Sequence, residues 1–109
     1  MRKGEVWIVD IASSGGHEQE GLRPAIIMAD IIGPIVTIIP CTSNMESLRF
    51  PFTFEIIPSI KNGLNKNSVA VIFQLRAIDR KKLRNKIGLL NKKEIKTVDN
   101  FIKKMFNFN

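Results

Sequence analysis

One cysteine, one histidine and one tryptophan occur among 109 residues, and no apolar run is long enough to cross a bilayer. The lone thiol, Cys41, forms no intrachain disulfide and finds no second sulfur for a metal, which fits a reducing, cytoplasmic setting. A membrane helix needs about 18 consecutive apolar residues. The segment MRKGEVWIVD passes from a basic dipeptide straight into alternating apolar residues, unlike a secretory signal. Metal ligation finds no spacing here either, so no metal and no cofactor is expected. Composition is otherwise that of a globular chain, 44% hydrophobic and 25% charged, with a length suited to one domain over residues 1–109.

Acidic residues are scarce in the second half of the chain. Residues 61–109 carry thirteen basic and three acidic groups, whereas residues 1–60 carry four basic and seven acidic ones. Such a basic half suits a polyanion, nucleic acid foremost, or simply a solvated surface; composition does not choose.

The apolar pattern is that of short strands. Residues 5–11, 25–30, 35–40 and 68–75 are β-branched and aromatic runs bounded by Gly, Pro and Asn turns. Residues 49–57 alternate, which predicts a strand with Phe50, Phe52 and Phe54 on one face, and Pro51 marks it as an edge. Asp79 can cap a short helix through Leu83. Asn91 and Glu94 have capping-box spacing ahead of Ile95, Val98, Ile102 and Met105 at helical period. The order predicts a small α+β fold, a strongly curved antiparallel sheet or open barrel with a short helix and a C-terminal helix.

Two polar loops follow strands that point to one rim, residues 15–23 and 41–44. Arg23 precedes Pro24, which holds its backbone extended, and a fixed guanidinium suits a phosphate. An ion pair with Glu18 or Glu20 is the alternative. His17 titrates near neutrality and fits a general acid or base, or a solvated loop residue. Thr42 and Ser43 offer hydroxyls at a strand end, for chemistry or for turn amides. Cys41 fits a small apolar filler better than a nucleophile.

These residues fall in segments that resemble MazF/PemK-type toxins. GHEQEGLRP (residues 16–24), following KGEVWIVDI, matches the family's G-x-E-Q-x-G-x-R-P loop; PCTS at 40–43 matches P-x-T-S; and SVAVIFQLRAIDRKKL at 68–83 looks like the family's S-V-x-x-x-x-Q-x-R-x-x-D-x-x-R-L stretch, with Lys82 at its last arginine. The resemblance spans nearly the whole chain. It implies a curved barrel shared with CcdB-like gyrase poisons, and the toxin of a type II toxin–antitoxin module. It also implies a homodimer acting as a metal-independent endoribonuclease on single-stranded RNA, and a cognate antitoxin with an acidic C-terminal tail. Operator DNA would be met only through that antitoxin. The catalytic pair falls on Arg23 and Thr42, and Glu18, Gln19 and Gln74 are carried over as substrate contacts or support. A gyrase poison without enzymatic activity, or an RNA-binding module without catalysis, are the alternatives.

The chemistry required is compatible with such a set. Cleavage of RNA by its own 2′-hydroxyl needs removal of the 2′ proton, stabilisation of a more anionic phosphorane, and protonation of the leaving 5′-oxygen. Arg23 suits the phosphorane; Glu18 or His17 suits the proton by its pKa.

Overall fold

Short β-branched runs cut by glycine and proline pair more readily than they coil, and seven of them do so here. The computed structural model describes residues 1–11 and 21–108. Its strands are β1 (Glu5–Asp10), β2 (Leu22–Ile32), β3 (Ile35–Thr42), β4 (Thr53–Ile56), β5 (Ser68–Val71), β6 (Arg76–Asp79) and β7 (Leu83–Leu89), followed by the helix α1 (Lys92–Met105). All pairings are antiparallel, in the order β4-β5-β3-β2-β1-β7, with β6 also on β3. β3 changes partner along its length: Ile35–Ile38 pairs with β6, and Cys41 and Thr42 pair with β5. That exchange bends the sheet without closing it.

Side chains alternate between two cores. Val6, Ile26, Ile39, Cys41, Ile56, Leu90 and Val98 form one, under α1. Val9, Ala25, Ile27, Val36, Ile38 and Ile78 form the other, on the opposite face. A period of two therefore sorts Ile26 from Ala25 and Ile27, as the pleat requires. α1 begins with the expected capping box, in which Asn91 Oδ1 accepts from the Glu94 amide at 2.7 Å and Glu94 Oε1 from the Asn91 amide at 2.8 Å. Ile95, Val98, Phe101, Ile102 and Met105 then turn to the core.

Four local expectations change. Residues 49–57 are not one strand: a 3-10 turn, Met45–Arg49, comes first, and Phe52 sits at φ 57, so alternation breaks before β4. Phe52 and Phe54 pack on the core while Phe50 is exposed. The run at 68–75 gives only four strand residues before a 3-10 turn, Ile72–Gln74. The short helix after Asp79 is a single 3-10 turn, Arg80–Lys82, its first amides met by the Asp79 carboxylate at 2.8 Å. Finally, β6 and β7 are strands that charge-rich sequence conceals.

The connection from β4 to β5 is pinned from inside. Asn62 is fully buried, its Oδ1 accepting from the Ser59 and Leu64 amides at 3.0 Å each and its Nδ2 donating to Ile57 O at 3.0 Å. Gly88 lies against that loop so closely that a Cβ would run into the Asn62 carbonyl.

Candidate active site

Arg23 and Thr42 come from the two strands at the middle of the sheet. β1 and β3 run the same way with β2 between them, so their ends share one rim. Arg23 pairs with Val9 of β1. Ala25 pairs with Pro40, and that register carried two residues on sets Arg23 across from Thr42. Residues opposite one another in antiparallel strands share a face, with Cβ atoms about 5 Å apart. The face is the one turned away from α1, because Ala25 and Ile38 on it belong to the second core. Both residues are half-buried.

Local chemistry fixes each. Pro24 holds Arg23 extended and lends no ladder donor. Thr42 ends β3 opposite Val69, and its Oγ1 accepts from the Asn44 amide at 3.1 Å. An accepting hydroxyl keeps its proton for another acceptor. Asn44 in turn caps the 3-10 turn Met45–Arg49, accepting from the Glu46 amide at 3.1 Å. The turn chemistry considered for Thr42 is therefore present, and it leaves the hydroxyl proton available.

Of the other candidates, Ser43 is exposed beside Thr42. Gln74 is exposed at the end of its 3-10 turn, two residues before the Arg76–Ile38 pair, which sets it on the order of 10 Å down β3 from Thr42. His17, Glu18 and Gln19 lie outside the described residues. Cys41 is buried among Ile39, Ile56 and Ala70, and burial pushes its thiol up to about 12, so it serves as core. Among the described residues, no three of His, Cys, Asp and Glu cluster as metal ligands would.

Four of the basic side chains are engaged by carboxylates. Arg80 grips Asp30 with both terminal nitrogens and donates from Nε to Gly33 O at 2.9 Å. Arg84 holds Asp10 at 3.0 Å, Lys3 holds Asp99 at 2.9 Å, and Lys86 stands 3.6 Å from Glu5. The guanidinium of Arg80 keeps the Asp30 carboxyl below its usual range. Burial opposes the Glu5 charge, but hydrogen bonds from the Trp7 indole and Arg2 amide, with Lys86 nearby, outweigh it. Arg76 and Lys82 instead line a cleft of about 210 Å³ with Asp10, Ile11 and Asp79. Sequence reading missed that cleft because β6 was not foreseen; Arg76, within Q-x-R, was the signal for it.

The sheet thus carries Arg23 and Thr42 together at one rim, on the face away from α1. A family model described as "PemK-like, MazF-like toxin of type II toxin-antitoxin system" matches residues 2–106. The chain belongs to that family. It is 34% identical over 106 residues to the Endoribonuclease MazF of Staphylococcus saprophyticus subsp. saprophyticus, covering 94% of this chain and 88% of that one. Its fold is similar to Mycobacterium tuberculosis toxin MazF-mt6, with a TM-score of 0.72 at 19% identity, over 96% of this chain and 98% of that one. A mycobacterial endoribonuclease solved with its cognate antitoxin gives 0.73 at 13% identity, over 100% and 95%. MazF in a MazE–MazF structure from Deinococcus radiodurans gives 0.73 at 18%, over 98% and 95%.

Proposed function

We propose that this MazF-type endoribonuclease toxin cuts single-stranded RNA at short sequences without a metal, using Arg23 and Thr42 on the scissile phosphate. The observation that carries the reading is their placement on neighbouring strands, opposite in register, on the face away from α1. In the reaction the RNA 2′-oxygen loses its proton and bonds to phosphorus, the bond to the 5′-oxygen breaks, and that oxygen takes a proton. The products are a 2′,3′-cyclic phosphate and a 5′-hydroxyl. Charge grows on the phosphoryl oxygens midway, where the Arg23 guanidinium and the Thr42 hydroxyl donate. A guanidinium is a poor base, so the role of Arg23 is to stabilise and donate rather than to accept the 2′ proton. Glu18 or His17 is the acceptor that suits by pKa.

The working protein is a cytoplasmic homodimer, with RNA in a groove spanning both subunits. β4 supports this as the outer strand of the sheet, with Ile57 and Ile60 exposed beside it, and so do the exposed Phe106 and Phe108 after α1. A cognate antitoxin with an acidic C-terminal tail restrains the toxin, folding over the Arg23 pocket and competing with RNA; operator DNA is reached through the antitoxin alone.

The test uses purified protein, EDTA and a long unstructured RNA. Discrete fragments with cyclic-phosphate ends are expected from the wild type and none from Arg23→Ala. Equal patterns from both would assign the activity to a contaminant. Intact RNA together with gyrase-dependent DNA breaks in expressing cells would favour a gyrase poison, and salt-sensitive RNA binding without cleavage a non-catalytic module.

A further inference from the structure

Two aromatic rings stand exposed by β4, two strands across from Thr42. Phe50 and Phe73 meet edge to face, their centroids 6.0 Å apart and planes at 66°, yet they remain 46% and 42% exposed. A folded chain usually covers an aromatic pair; leaving both open forgoes burial that either ring would supply. The Arg49 guanidinium lies over the Phe50 ring, 5.1 Å from its centroid, and its carboxylate partner among the described residues is an exposed Glu46 at 3.9 Å. Rings with a planar cation beside them, open to solvent, have the composition of a single-strand nucleic-acid platform.

The platform adjoins the proposed reaction centre through the backbone. Thr42 pairs with Val69, and alternation along β5 and its partner β4 puts Val71 and Thr53 on the same face. Thr53 Oγ1 donates to Phe50 O at 2.9 Å, which fastens Phe50 to that face. The Phe52 carbonyl accepts from the Ile72 amide at 3.0 Å, which brings the turn bearing Phe73 alongside. From Arg23 to β4 is three strand spacings of about 4.8 Å. Phe50 and Phe73 thus lie beyond the adjacent nucleotide, further along a strand held at Arg23 and Thr42, with Gln74 directly after Phe73.

We infer that Phe50 and Phe73 stack a base of the RNA flanking the scissile phosphate, with Arg49 against the neighbouring phosphate. This rests on the endoribonuclease reading above. Stacking is sequence-tolerant, so the platform sets where the strand lies rather than which base is read.

The probe is a short single-stranded RNA carrying one mapped cleavage site, with abasic versions made one position at a time. For wild type, removing the stacked base is expected to slow cleavage about 5- to 150-fold. The double variant Phe50→Ala/Phe73→Ala should lose a similar factor on intact RNA and nothing further on that abasic RNA. Phe73→Leu, which keeps apolar bulk and loses the ring, should fall short of wild type, and Phe73→Trp should match or exceed it. Thermal melting and sedimentation accompany each variant. Full activity of the folded double variant, or losses that multiply independently, overturn the inference. So does a variant whose defect is a change from dimer to monomer, because the rings then serve a second copy. Should the double variant not fold, the Leu and Trp variants decide on the same criteria. Wild type that cuts nothing overturns the parent reading, and this one with it.

Discussion

Arg23 and Thr42 occupy neighbouring antiparallel strands, opposite in register, with both side chains on the face away from α1. Two donors set across a strand spacing can contact two oxygens of one phosphoryl group, and this bears on what Thr42 contributes. Thr42→Val keeps the shape and removes the hydroxyl. It should lower kcat on the order of 100-fold with KM little changed, because the lost contact belongs to the transition state. Thr42→Ser should retain most activity. The Asn44 amide loses its Oγ1 partner in Thr42→Val but is exposed, so the melting temperature should barely move. A Thr42→Val enzyme as fast as wild type would remove Thr42 from the chemistry.

Asn62 makes a sharper prediction about stability. Its side chain meets three backbone groups, of which the Leu64 amide is buried. Asn62→Ala should cost about 2–4 kcal/mol, since that buried amide loses its acceptor and a cavity opens. In a domain of this size that is a fall on the order of 10 °C or more in Tm. Gly88→Ala should be comparably harmful, because the new Cβ meets the Asn62 backbone rather than a side chain that can move. Both are read by thermal denaturation; a loss under 1 kcal/mol for either would show that the loop yields.

Acid should loosen the fold through Asp30 and Glu5. Both carboxyls titrate below their ordinary values of 3.8 and 4.5 in the folded chain, Asp30 chiefly through Arg80 and Glu5 despite its burial. The unfolded chain therefore binds more protons in acid. Stability from these groups is complete above about pH 4.5 and drains away as the pH falls through the lowered values. Asp30→Asn should flatten the acid limb of a Tm-against-pH curve. An unchanged acid limb would show that the Arg80 pair contributes nothing to folding.

Cys41 should be inert. Its thiol is buried and pushed up to about 12, so almost no thiolate exists at pH 8. Iodoacetamide should label it only as fast as the chain opens, and denaturant should accelerate labelling by orders of magnitude. Rapid labelling of the native protein would mean that the pairing between β3 and β5 opens readily.

The fold and the site were legible to different depths. Val, Ile and Gly–Pro punctuation gave β1, β2 and β3, and Asn91 with Glu94 marked the start of α1, because those signals are local. Phe52 defeated the alternation argument: a phenylalanine with positive φ is set by the tertiary contacts of the 3-10 turns on either side, which no period reveals. β6 and β7 were hidden because RAID and LRNKIGL carry charge on the exposed positions of strands whose core residues are few. Arg23 and Thr42 were legible as motif residues. Their apposition was not, since it follows from a register between β2 and β3 that depends on where Gly33 and Pro34 turn the chain. The exposed Phe50–Phe73 pair was also invisible, because the two residues lie 23 positions apart and were assigned to separate strands.

The same ledger of charges separates lysines and arginines that hold the fold from those left to attract RNA. Arg80 is bound to Asp30 and Gly33, and Arg84 to Asp10, whereas Arg76 and Lys82 face the open cleft beside β6. A cation already neutralised by a carboxylate releases no counterion from RNA, so of these four only the second pair should appear in the salt dependence of binding. On a cleavage-site oligonucleotide with a 2′-deoxy sugar at the scissile position, Arg76→Gln and Lys82→Gln should each lower the slope of log K against log salt by about 0.7. Arg80→Gln should leave that slope alone and lower Tm instead, most visibly above pH 4.5, where Asp30 is charged and newly unpaired. Fluorescence anisotropy at four salt concentrations and a melt of each variant suffice. If Arg80→Gln changes the slope as much as Lys82→Gln does, the ion pair with Asp30 opens when RNA binds, and the division between structural and binding cations fails.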